Sequence, residues 1–289
     1  MNNWRFAGHE TFHCKHFWLK KGYNFASEGN NFKDNDAVVK LGVGKNMVLS
    51  IQFWMNAFGI FEEDEITEFG NNIFNDAGFD SFLEDEGSLW LLHFKLLKKN
   101  YSSIYKLAFL NFRKTRISSE FTSKQLEDFI CKYLIIEGVN FSQKSIENDV
   151  KVFIRNYVSL YKKGSKSLED DFSSLLINLD IITIVPDLYI EGLQVFKLLY
   201  NAKENLPSEV LLFSILDSFE GEISISVSDI QNEISDLFLC NREGTETKLI
   251  ELQEKGYIVY KDDSGRKEIQ IKNEISKWDV LKNYYEKSI

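Results

Sequence analysis

The stretch "REGTETKLIELQEKGYIVYKDDSGRKEIQIK" (242–272) carries the clearest fold signal in the chain. Residues 242–256 have a helical pattern that ends at Gly256, a residue type that commonly stops helices. The segments "YIVYK" (257–261) and "RKEIQIK" (266–272) alternate apolar and polar residues on either side of the turn "DDSG", as in a β-hairpin. The sequence therefore predicts a helix followed directly by two antiparallel strands.

The residues before this stretch complete a known order of elements. The segment "SEVLLFSILDSF" (208–219) predicts a helix, and "ISISV" (223–227) predicts a short strand. A second helix is predicted to begin at the capping-box pattern "SDIQ" (228–231). Helix, strand, helix, helix and two-stranded wing is the order of a winged-helix domain, which we predict for residues 201–289.

Earlier parts of the chain show a similar order without repeating its sequence. Residues 36–70 read as a helix, a glycine turn, a longer helix and a short β segment, and residues 122–158 read as helix, loop and helix. The first helix of the second segment is predicted to begin with the capping box Thr122-x-x-Gln125. The helix after it is predicted to be capped by Ser142.

We place further helices in residues 88–112 and 168–200, between these units. The predicted fold is mainly α with small β wings, and in it several winged-helix (wHTH)-like units are joined by helices. Three domains are expected. They are an N-terminal winged-helix-like domain (1–85), a helical middle domain with a basic helix-turn-helix-like unit (86–200), and a C-terminal winged-helix-like domain (201–289).

The net charge of the chain is −10, but the charge is unevenly distributed. Residues 91–166 carry fifteen Lys and Arg against six Asp and Glu, a net charge of +9. Residues 167–289 carry twelve against twenty-four, a net charge of −12. A basic region can bind the phosphates of nucleic acid, whereas an acidic region repels them and can meet a basic partner. The C-terminal unit is therefore as well suited to protein docking or dimerisation as to DNA binding.

The composition indicates an ordinary globular protein of the cytoplasm. Hydrophobic residues make up 44% and charged residues 27%, and no apolar run reaches the ~18–20 residues that span a bilayer. The first residues, "MNNWR", lack the apolar stretch of a signal peptide. The three cysteines are far apart and odd in number, which fits a reducing compartment better than a disulfide framework. We expect no membrane partner.

The stretch "HETFH" (9–13) fits the zinc-protease pattern H-E-x-x-H. That chemistry needs the pattern inside a long helix, so that both histidines face the metal ion, and it needs a third ligand. Few residues precede the pattern, and His16 and His93 are the only other histidines. A zinc hydrolase therefore stays a weaker alternative, and no metal ligand is assigned.

His9 and Glu10 are instead our candidate catalytic residues. Glu10 can orient His9, and a histidine held in this way can take a proton from water or contact a phosphate. The alternative is that both are buried polar residues that lock the N-terminal segment to its domain.

The acidic stretch "LEDEG" (83–87) has two interpretations. Dense carboxylates suit Mg²⁺, but acidic side chains also favour the first turn of a helix. The apolar helix predicted for residues 88–97 supports the second interpretation. His93 on that helix is expected to be a semi-buried histidine with its hydrogen bonds satisfied and not a catalyst.

A first group of candidate DNA-binding residues lies near the N-terminus. The glycine turn "LGVGKN" (41–46) delivers Lys45 and Asn46 to the start of a helix, where they can hold a backbone phosphate. Lys20 and Lys21 are further candidates in the same basic region. The alternative is a helix–turn–helix corner that uses glycine only for its backbone angles.

The stretch "SQKSIENDV" (142–150) is the stronger candidate, because it opens a helix inside the basic region. The first two turns of a recognition helix present exposed side chains to base edges. Those side chains here are Gln143, Lys144, Ser145 and Asn148. Lys151 and Arg155 extend the same face for contact with phosphates. The alternative is a solvated helix with an i,i+4 pair between Glu147 and Lys151.

Several segments together resemble the family of the bacterial protein SspB. They are "FAGHETFHCKHFWLKKG" (6–22), "LGVGKNMVLSIQFW" (41–54), "ITEFG" (66–70), "LEDEGSLWLLHF" (83–94), "SQKSIENDV" (142–150) and "NREGTETKLIELQEKGYIVYKDDSGRKEIQIK" (241–272). The family pattern G-H-E-T-F, then W-L-x-K-G, is matched by Gly8, His9, Glu10, Thr11, Phe12, Trp18, Leu19, Lys20 and Gly22. His13 lies outside this pattern, which further weakens the zinc interpretation.

Members of this family occur in bacterial DNA phosphorothioation islands. The resemblance implies a DNA-nicking component that acts on double-stranded DNA together with SspC-like and SspD-like (PAPS-reductase-like) proteins. It supplies no active-site motif that could be carried over to this chain.

We therefore predict a DNA-binding component of a bacterial DNA phosphorothioate modification system for anti-phage defence. If it is catalytic, it nicks one DNA strand to allow sulfur incorporation, and Mg²⁺ is then the expected cofactor. The alternatives are a non-enzymatic winged-helix DNA-recognition subunit or transcription regulator, and the zinc hydrolase. A homodimer is compatible with each of these functions.

Overall fold

The computed structural model describes residues 4–159, 174–263, 265–272 and 275–287. Contacts divide the chain into two compact units, one of residues 1–84 and 95–199 and one of residues 85–94 and 200–289. The prediction of a mainly helical chain with small antiparallel sheets is confirmed. None of the helices in the described ranges has the length and apolar character needed to cross a membrane. The three-domain division stays a prediction.

The first unit opens with helices and a short hairpin. The elements are α1 (Trp18–Ser27), α2 (Ala37–Leu41), α3 (Lys45–Ala57), β1 (Phe61–Glu62), β2 (Glu65–Ile66) and α4 (Glu68–Phe74). Gly42 ends α2 with a φ of +61°, a backbone angle that glycine adopts without steric cost, and Gly44 begins α3. The helix, glycine turn and longer helix predicted for this part of the chain are confirmed.

Helix α5 (Glu86–Lys99) contributes residues to both units. The first unit continues with α6 (Ser103–Lys106), a π-helical turn (Leu107–Phe112), β3 (Glu120–Thr122), α7 (Ser123–Ile136), α8 (Gln143–Tyr157), a 3₁₀ turn (Ile177–Leu179), β4 (Ile182–Ile190) and β5 (Leu193–Leu198). Strands β3, β5 and β4 form an antiparallel sheet in that order.

Both predicted caps of α7 and α8 are present. The hydroxyl of Thr122 accepts a hydrogen bond from the Gln125 backbone N–H (3.3 Å), and the Gln125 side chain accepts one from the Thr122 N–H (3.1 Å). Ser142 accepts from the Ser145 N–H. These bonds satisfy amide groups that have no partner within the helix, and they fix where each helix starts.

The prediction of helix for residues 168–200 is wrong for residues 182–198, which form the β4–β5 hairpin. This part of the chain is rich in β-branched and aromatic residues, which favour strands. Glu191 and Gly192 form the connecting turn with positive φ values of +50° and +76°, the geometry of a type I′ turn. Residues 168–173 lie outside the described residues.

The second unit has its own helices and sheet. Its elements are α9 (Ser208–Ser218), β6 (Ser224–Ser226), α10 (Val227–Asp229), a π-helical turn (Ile230–Ser235), α11 (Arg242–Glu254), β7 (Ile258–Asp263), β8 (Arg266–Ile271) and α12 (Lys277–Lys287). The strands pair antiparallel in the order β6, β8, β7. In the described part of each unit, therefore, a strand precedes two helices and pairs with the last strand of a hairpin.

One predicted cap in the second unit is shifted. Residues 228–231 were expected to form a capping box, but the capping side chain is Ser226, whose hydroxyl accepts from the Asp229 N–H at 3.0 Å. The helix begins two residues earlier because Ser226 ends strand β6 in an extended conformation, which suits an N-cap.

Aromatic side chains fill the core of each unit. In the first unit the Phe153 ring lies 5.6 Å from Tyr105 and 5.1 Å from Phe109. In the second unit, Trp90 and Phe94 of α5 pack on Phe238 at 5.9 and 5.8 Å. These contacts explain why residues 85–94 belong to the second unit.

The cap of α7 provides a test of this local structure. We expect Thr122→Ala to lower the free energy of unfolding by about 1 kcal/mol relative to Thr122→Ser, because serine keeps the capping oxygen. Ser123→Ala, one residue away, removes a hydroxyl that caps nothing and serves as the control. Urea unfolding followed by circular dichroism measures the differences, and equal stability of the Ala and Ser variants at 122 would contradict the cap.

Candidate functional site

The segment that carries the H-E-x-x-H pattern is a turn. The Phe12 N–H donates to the His9 carbonyl at 2.8 Å, and the two residues between them, Glu10 and Thr11, have φ values of +49° and +65°. Positive φ at both central positions is the type I′ geometry. The two histidines of the pattern therefore do not lie one turn apart on a helix, as a zinc hydrolase requires.

His9 is buried and both of its ring nitrogens make contacts. The Thr11 N–H donates to Nδ1 at 3.2 Å, so Nδ1 carries no proton. Nε2 lies 2.9 Å from Oδ1 of Asp149, and it is therefore the nitrogen that donates to this carboxylate. The ring is stacked near Trp54 and lies edge-on to Phe53. Only 2% of His9 is exposed.

Two polar side chains on the inner face of α8 hold the N-terminal segment. Asp149, which is fully buried, also accepts from the Ala7 N–H at 3.0 and 3.1 Å. Seven residues later, Asn156 accepts from the Cys14 N–H at 2.9 Å and donates to the Tyr105 hydroxyl oxygen. The segment is thus fixed to α8 at two points, two helical turns apart.

Sequence reasoning missed Asp149 and Asn156, although a signal was available. Asp149 stands three residues after Ile146 and four before Phe153, both of which belong to the buried stripe of α8. A carboxylate at such a position must have hydrogen-bond partners, because burying it alone is costly. The sequence could therefore have predicted that α8 binds polar groups on its inner side.

Glu10 does not orient His9 as the sequence suggested, since Asp149 makes that contact. The Glu10 side chain is half-exposed and makes no hydrogen bond with another described residue. It lines a cleft of about 410 Å³ together with residues that include Gln52, Asn56 and Glu63. The catalytic role of His9 and Glu10 stays a prediction. The hydrogen bonds of His9 hold the N-terminal segment in place against α8.

Within the described part of the chain, no three His, Cys, Asp or Glu side chains are grouped so that they could hold a metal ion. In the acidic stretch of residues 83–87, Oδ1 of Asp85 accepts from the Tyr284 hydroxyl at 2.7 Å and from the Gly87 N–H at 2.7 Å. Those bonds support the interpretation of this stretch as a helix start.

His93 is fully buried, whereas the sequence predicts a semi-buried position. Its Nε2 donates to the Leu237 carbonyl at 2.8 Å, and burial lowers the pKa of His93 to about 3. The ring is therefore neutral at physiological pH, and it ties α5 to the segment before α11.

The outer face of α8 presents the DNA-binding candidates of the 142–155 segment. Lys144, Asn148, Lys151 and Arg155 follow one another at intervals of four, three and four residues, which places them on one side of the helix. Lys144 and Lys151 are exposed, and Lys151 pairs with Glu147 as expected. The side-chain amide of Gln143 donates to the Glu127 carboxylate of α7 at 3.3 Å. The backbone N–H of Ser145 donates to Ser142, the N-cap of α8.

The N-terminal candidates lie elsewhere and differ from one another. Lys20 is tied to the end of α4, because its Nζ donates to the Phe74 carbonyl at 2.6 Å and its side chain is only 13% exposed. Lys21 donates to the Leu41 carbonyl at the end of α2. Both bonds satisfy helix carbonyls. Lys45 and Asn46 are exposed at the start of α3, and they share no helix with the α8 group.

The structure adds a neighbour of α8 that the sequence did not indicate. A groove of about 650 Å³ lies between the end of α8 and the β4–β5 hairpin. Lys151 and Arg155 line it from the helix, and Tyr189 and Leu193 line it from the hairpin. Sequence reasoning missed this groove because it assigned the hairpin to a helix.

Comparison with known proteins identifies the family of this chain and solved structures with a similar fold. A model of a family described as protein of unknown function (DUF4007) matches residues 6–285. A magnesium ion-bound SspB crystal structure is similar with a TM-score of 0.82, and an SspB crystal structure with a TM-score of 0.78. Both are 24% identical to this chain, and each alignment covers 97% of this chain and 88% of the other. No curated relative matches the chain. The predicted resemblance to SspB is confirmed at the level of the fold.

The buried carboxylate of α8 can be tested directly. Asp149→Asn replaces one acceptor oxygen by an NH₂ group that must face the Ala7 N–H or the His9 ring. We expect the free energy of unfolding to fall by ~1–3 kcal/mol, with faster amide exchange at residues 7–14. The control is Glu147→Gln on the exposed side of the same helix, and equal stability of the two variants would refute the anchoring role.

Glu10→Gln separates structure from chemistry at the turn. Because the Glu10 side chain makes no hydrogen bond with another described residue, we expect the melting temperature of this variant to stay within about 1 °C of the wild type. Thermal unfolding and a plasmid nicking assay are run on the same preparation. Loss of nicking at an unchanged melting temperature would support a chemical role. A fall in melting temperature as large as that of Asp149→Asn would contradict our expectation.

Proposed function

Because the chain belongs to the DUF4007 family and has the fold of SspB, we propose that it is a DNA-binding component of a bacterial DNA phosphorothioate modification system. In this proposal the protein acts in the cytoplasm as part of anti-phage defence. Its partners are double-stranded DNA and SspC-like and SspD-like proteins.

The observation that carries the proposal is the outer face of α8. Lys144, Lys151 and Arg155 place three cations on one side of a helix, and Glu147 is the single carboxylate among them. Asn148 lies between the cations and can hydrogen-bond a base edge. The inner face of the same helix is held by buried contacts, so this array is presented on a rigid support.

We propose that the described residues between 103 and 198, and those between 208 and 271, form two winged-helix units. Within the described residues, each has a helix, a strand, two helices and a hairpin, and the first strand pairs with the last. In this arrangement α8 occupies the recognition-helix position and enters the major groove. Lys144 and Asn148 then face bases, while Lys151 and Arg155 reach phosphates.

The matching helix of the second unit, α11, has the opposite charge. Its exposed positions include Glu243 and Glu254, and Arg242 is paired with Glu246 at 3.0 Å. Carboxylates in this position repel DNA phosphates. We therefore propose that the first unit binds DNA and that the second unit serves protein partners or a second copy of the chain.

Nicking of one strand stays a prediction. The SspB crystal structure with a bound magnesium ion favours a divalent cation, but the described residues here offer no group of three metal-binding side chains. Mg²⁺ bound here would therefore rely on fewer protein carboxylates, together with waters and the phosphates of DNA. Plasmid relaxation with Mg²⁺ and with EDTA distinguishes a nickase from a recognition subunit or transcription regulator, which would bind DNA and leave it intact.

Charge reversal on α8 tests the proposed DNA interface. We expect Lys144→Glu with Arg155→Glu to weaken duplex binding at least tenfold and to reduce the slope of log K against log salt concentration by about 1, because Arg155 loses a phosphate contact whereas Lys144 loses a base contact. Fluorescence anisotropy at several salt concentrations measures both quantities. Lys282→Glu with Lys287→Glu makes the same charge change on α12 of the second unit and is the control.

The double α8 variant must keep the wild-type melting temperature for the comparison to hold. Unchanged affinity and salt dependence in that folded variant would contradict the assignment of α8 to DNA.

A further inference from the structure

We propose that the groove between α8 and the β4–β5 hairpin binds one unpaired nucleotide of DNA, with its base stacked on Tyr189. The inference rests on the proposed DNA-binding function and adds a subsite to it. An unpaired nucleotide exposes a base face and a phosphate, and the groove offers an aromatic ring and two cations to contact them.

The size and walls of the groove suit a nucleobase. Its volume is about 650 Å³, within the usual range for small-molecule sites. Ile154 and Phe196 line it and are almost fully buried, with 3% and 5% exposure. Tyr189 and Leu193 line it from the hairpin and are 60% and 36% exposed. The groove therefore joins a buried apolar side to an exposed aromatic ring.

Tyr189 has the character of a stacking platform. Tyr189 lies in a strand and 60% of the residue is exposed, so an unstacked base can reach its ring from solvent. Every base has such a face, so stacking would accept any base. Bases inside a duplex are stacked on one another and cannot reach the ring, and the groove therefore selects unpaired nucleotides.

The hairpin holds Tyr189 in a fixed place. Tyr189 is paired with Gln194 across the strands, next to an irregular stretch between Ile184 and Tyr189. The Gln194 amide crosses this stretch and donates to the Val185 carbonyl at 2.9 Å and to the Leu188 carbonyl at 3.2 Å. These bonds compensate for the ladder bonds that are missing there, so the platform is preorganised.

Two cations stand where the phosphate of the bound nucleotide would lie. Lys151 and Arg155, one helical turn apart, line the groove from α8. Arg155 makes no ion pair or hydrogen bond with another described residue, and its guanidinium is therefore available to a phosphate. The same two residues belong to the outer face of α8. A DNA strand that contacts this face would therefore lead into the groove.

The charge of the groove favours a nucleotide over an apolar protein segment. Leu188 and Ile190 are also exposed on the hairpin, at 37% and 42%, and a protein partner could cover them. Neither residue lines the groove, whereas both cations do. Lys151 is paired with Glu147, but an apolar segment would leave Arg155 without a charged partner. A nucleotide supplies both a ring and a negative charge.

Anisotropy titrations with two labelled DNAs test the proposal. One is a fully paired duplex, and the other is the same duplex with a single unpaired thymine. We expect the wild type to bind the second about tenfold more tightly, the factor that corresponds to the ~1–3 kcal/mol of one base–aromatic stack. Tyr189→Ala should remove this preference and leave affinity for the paired duplex within about twofold. Tyr189→Phe should keep the preference, and so should the control Ile190→Ala.

Any of the following results overturns the inference. Equal affinity of the wild type for both DNAs shows that the groove does not select an unpaired nucleotide. If Tyr189→Ala loses the same amount of affinity for both DNAs, Tyr189 contacts the duplex and does not stack on an unpaired base. If Tyr189→Ala and Ile190→Ala both leave DNA preference unchanged but abolish binding of a partner protein, the hairpin is a protein-docking element. Failure of the wild type to bind either DNA removes the proposed function itself, which is a separate outcome.

Discussion

The buried carboxylate of Asp149 is the contact on which the first unit depends. It accepts from the Ala7 N–H and from His9, and so it joins the N-terminal segment to a helix that lies 140 residues further along the chain. A buried carboxylate is stable only with such partners, and the partners are buried only because α8 is there. Asn156 repeats the arrangement with the Cys14 N–H. The segment and the helix therefore specify each other's positions.

This arrangement uses both sides of α8. Residues on its inner face hold the N-terminal segment and the aromatic core, and residues on its outer face present Lys144, Lys151 and Arg155 to solvent. A rotation of the helix by one residue would bury a cation and expose the carboxylate of Asp149, and both changes are costly. The packing that stabilises the unit is thus also what orients the proposed DNA-binding side chains. It explains why a histidine that looked catalytic has both ring nitrogens in structural hydrogen bonds.

The two units show how one order of elements can carry different surfaces. Their sheets have the same pairing, β3-β5-β4 and β6-β8-β7, and among the described residues of each unit two helices follow the first strand. The exposed face of α8 is basic, whereas α11 in the other unit is acidic. Backbone hydrogen bonds and apolar packing produce the fold, and exposed side chains contribute little to either. The exposed positions are therefore free to differ, and they decide which partner each unit can meet.

Local signals in the sequence determined much of the secondary structure. The Thr122–Gln125 capping box, the Ser142 cap and the glycine turn at residues 42–44 involve groups within a few residues of one another, so neighbouring letters suffice to predict them. The prediction of a helix over residues 182–198 is wrong, since short apolar runs fit a strand or a buried helix equally well. Only the tertiary structure decided three features: the partner of His9, the helix carbonyl that Lys20 binds, and the groove beside Arg155. Each of them depends on residues that are far apart in the sequence and come together only when the chain folds.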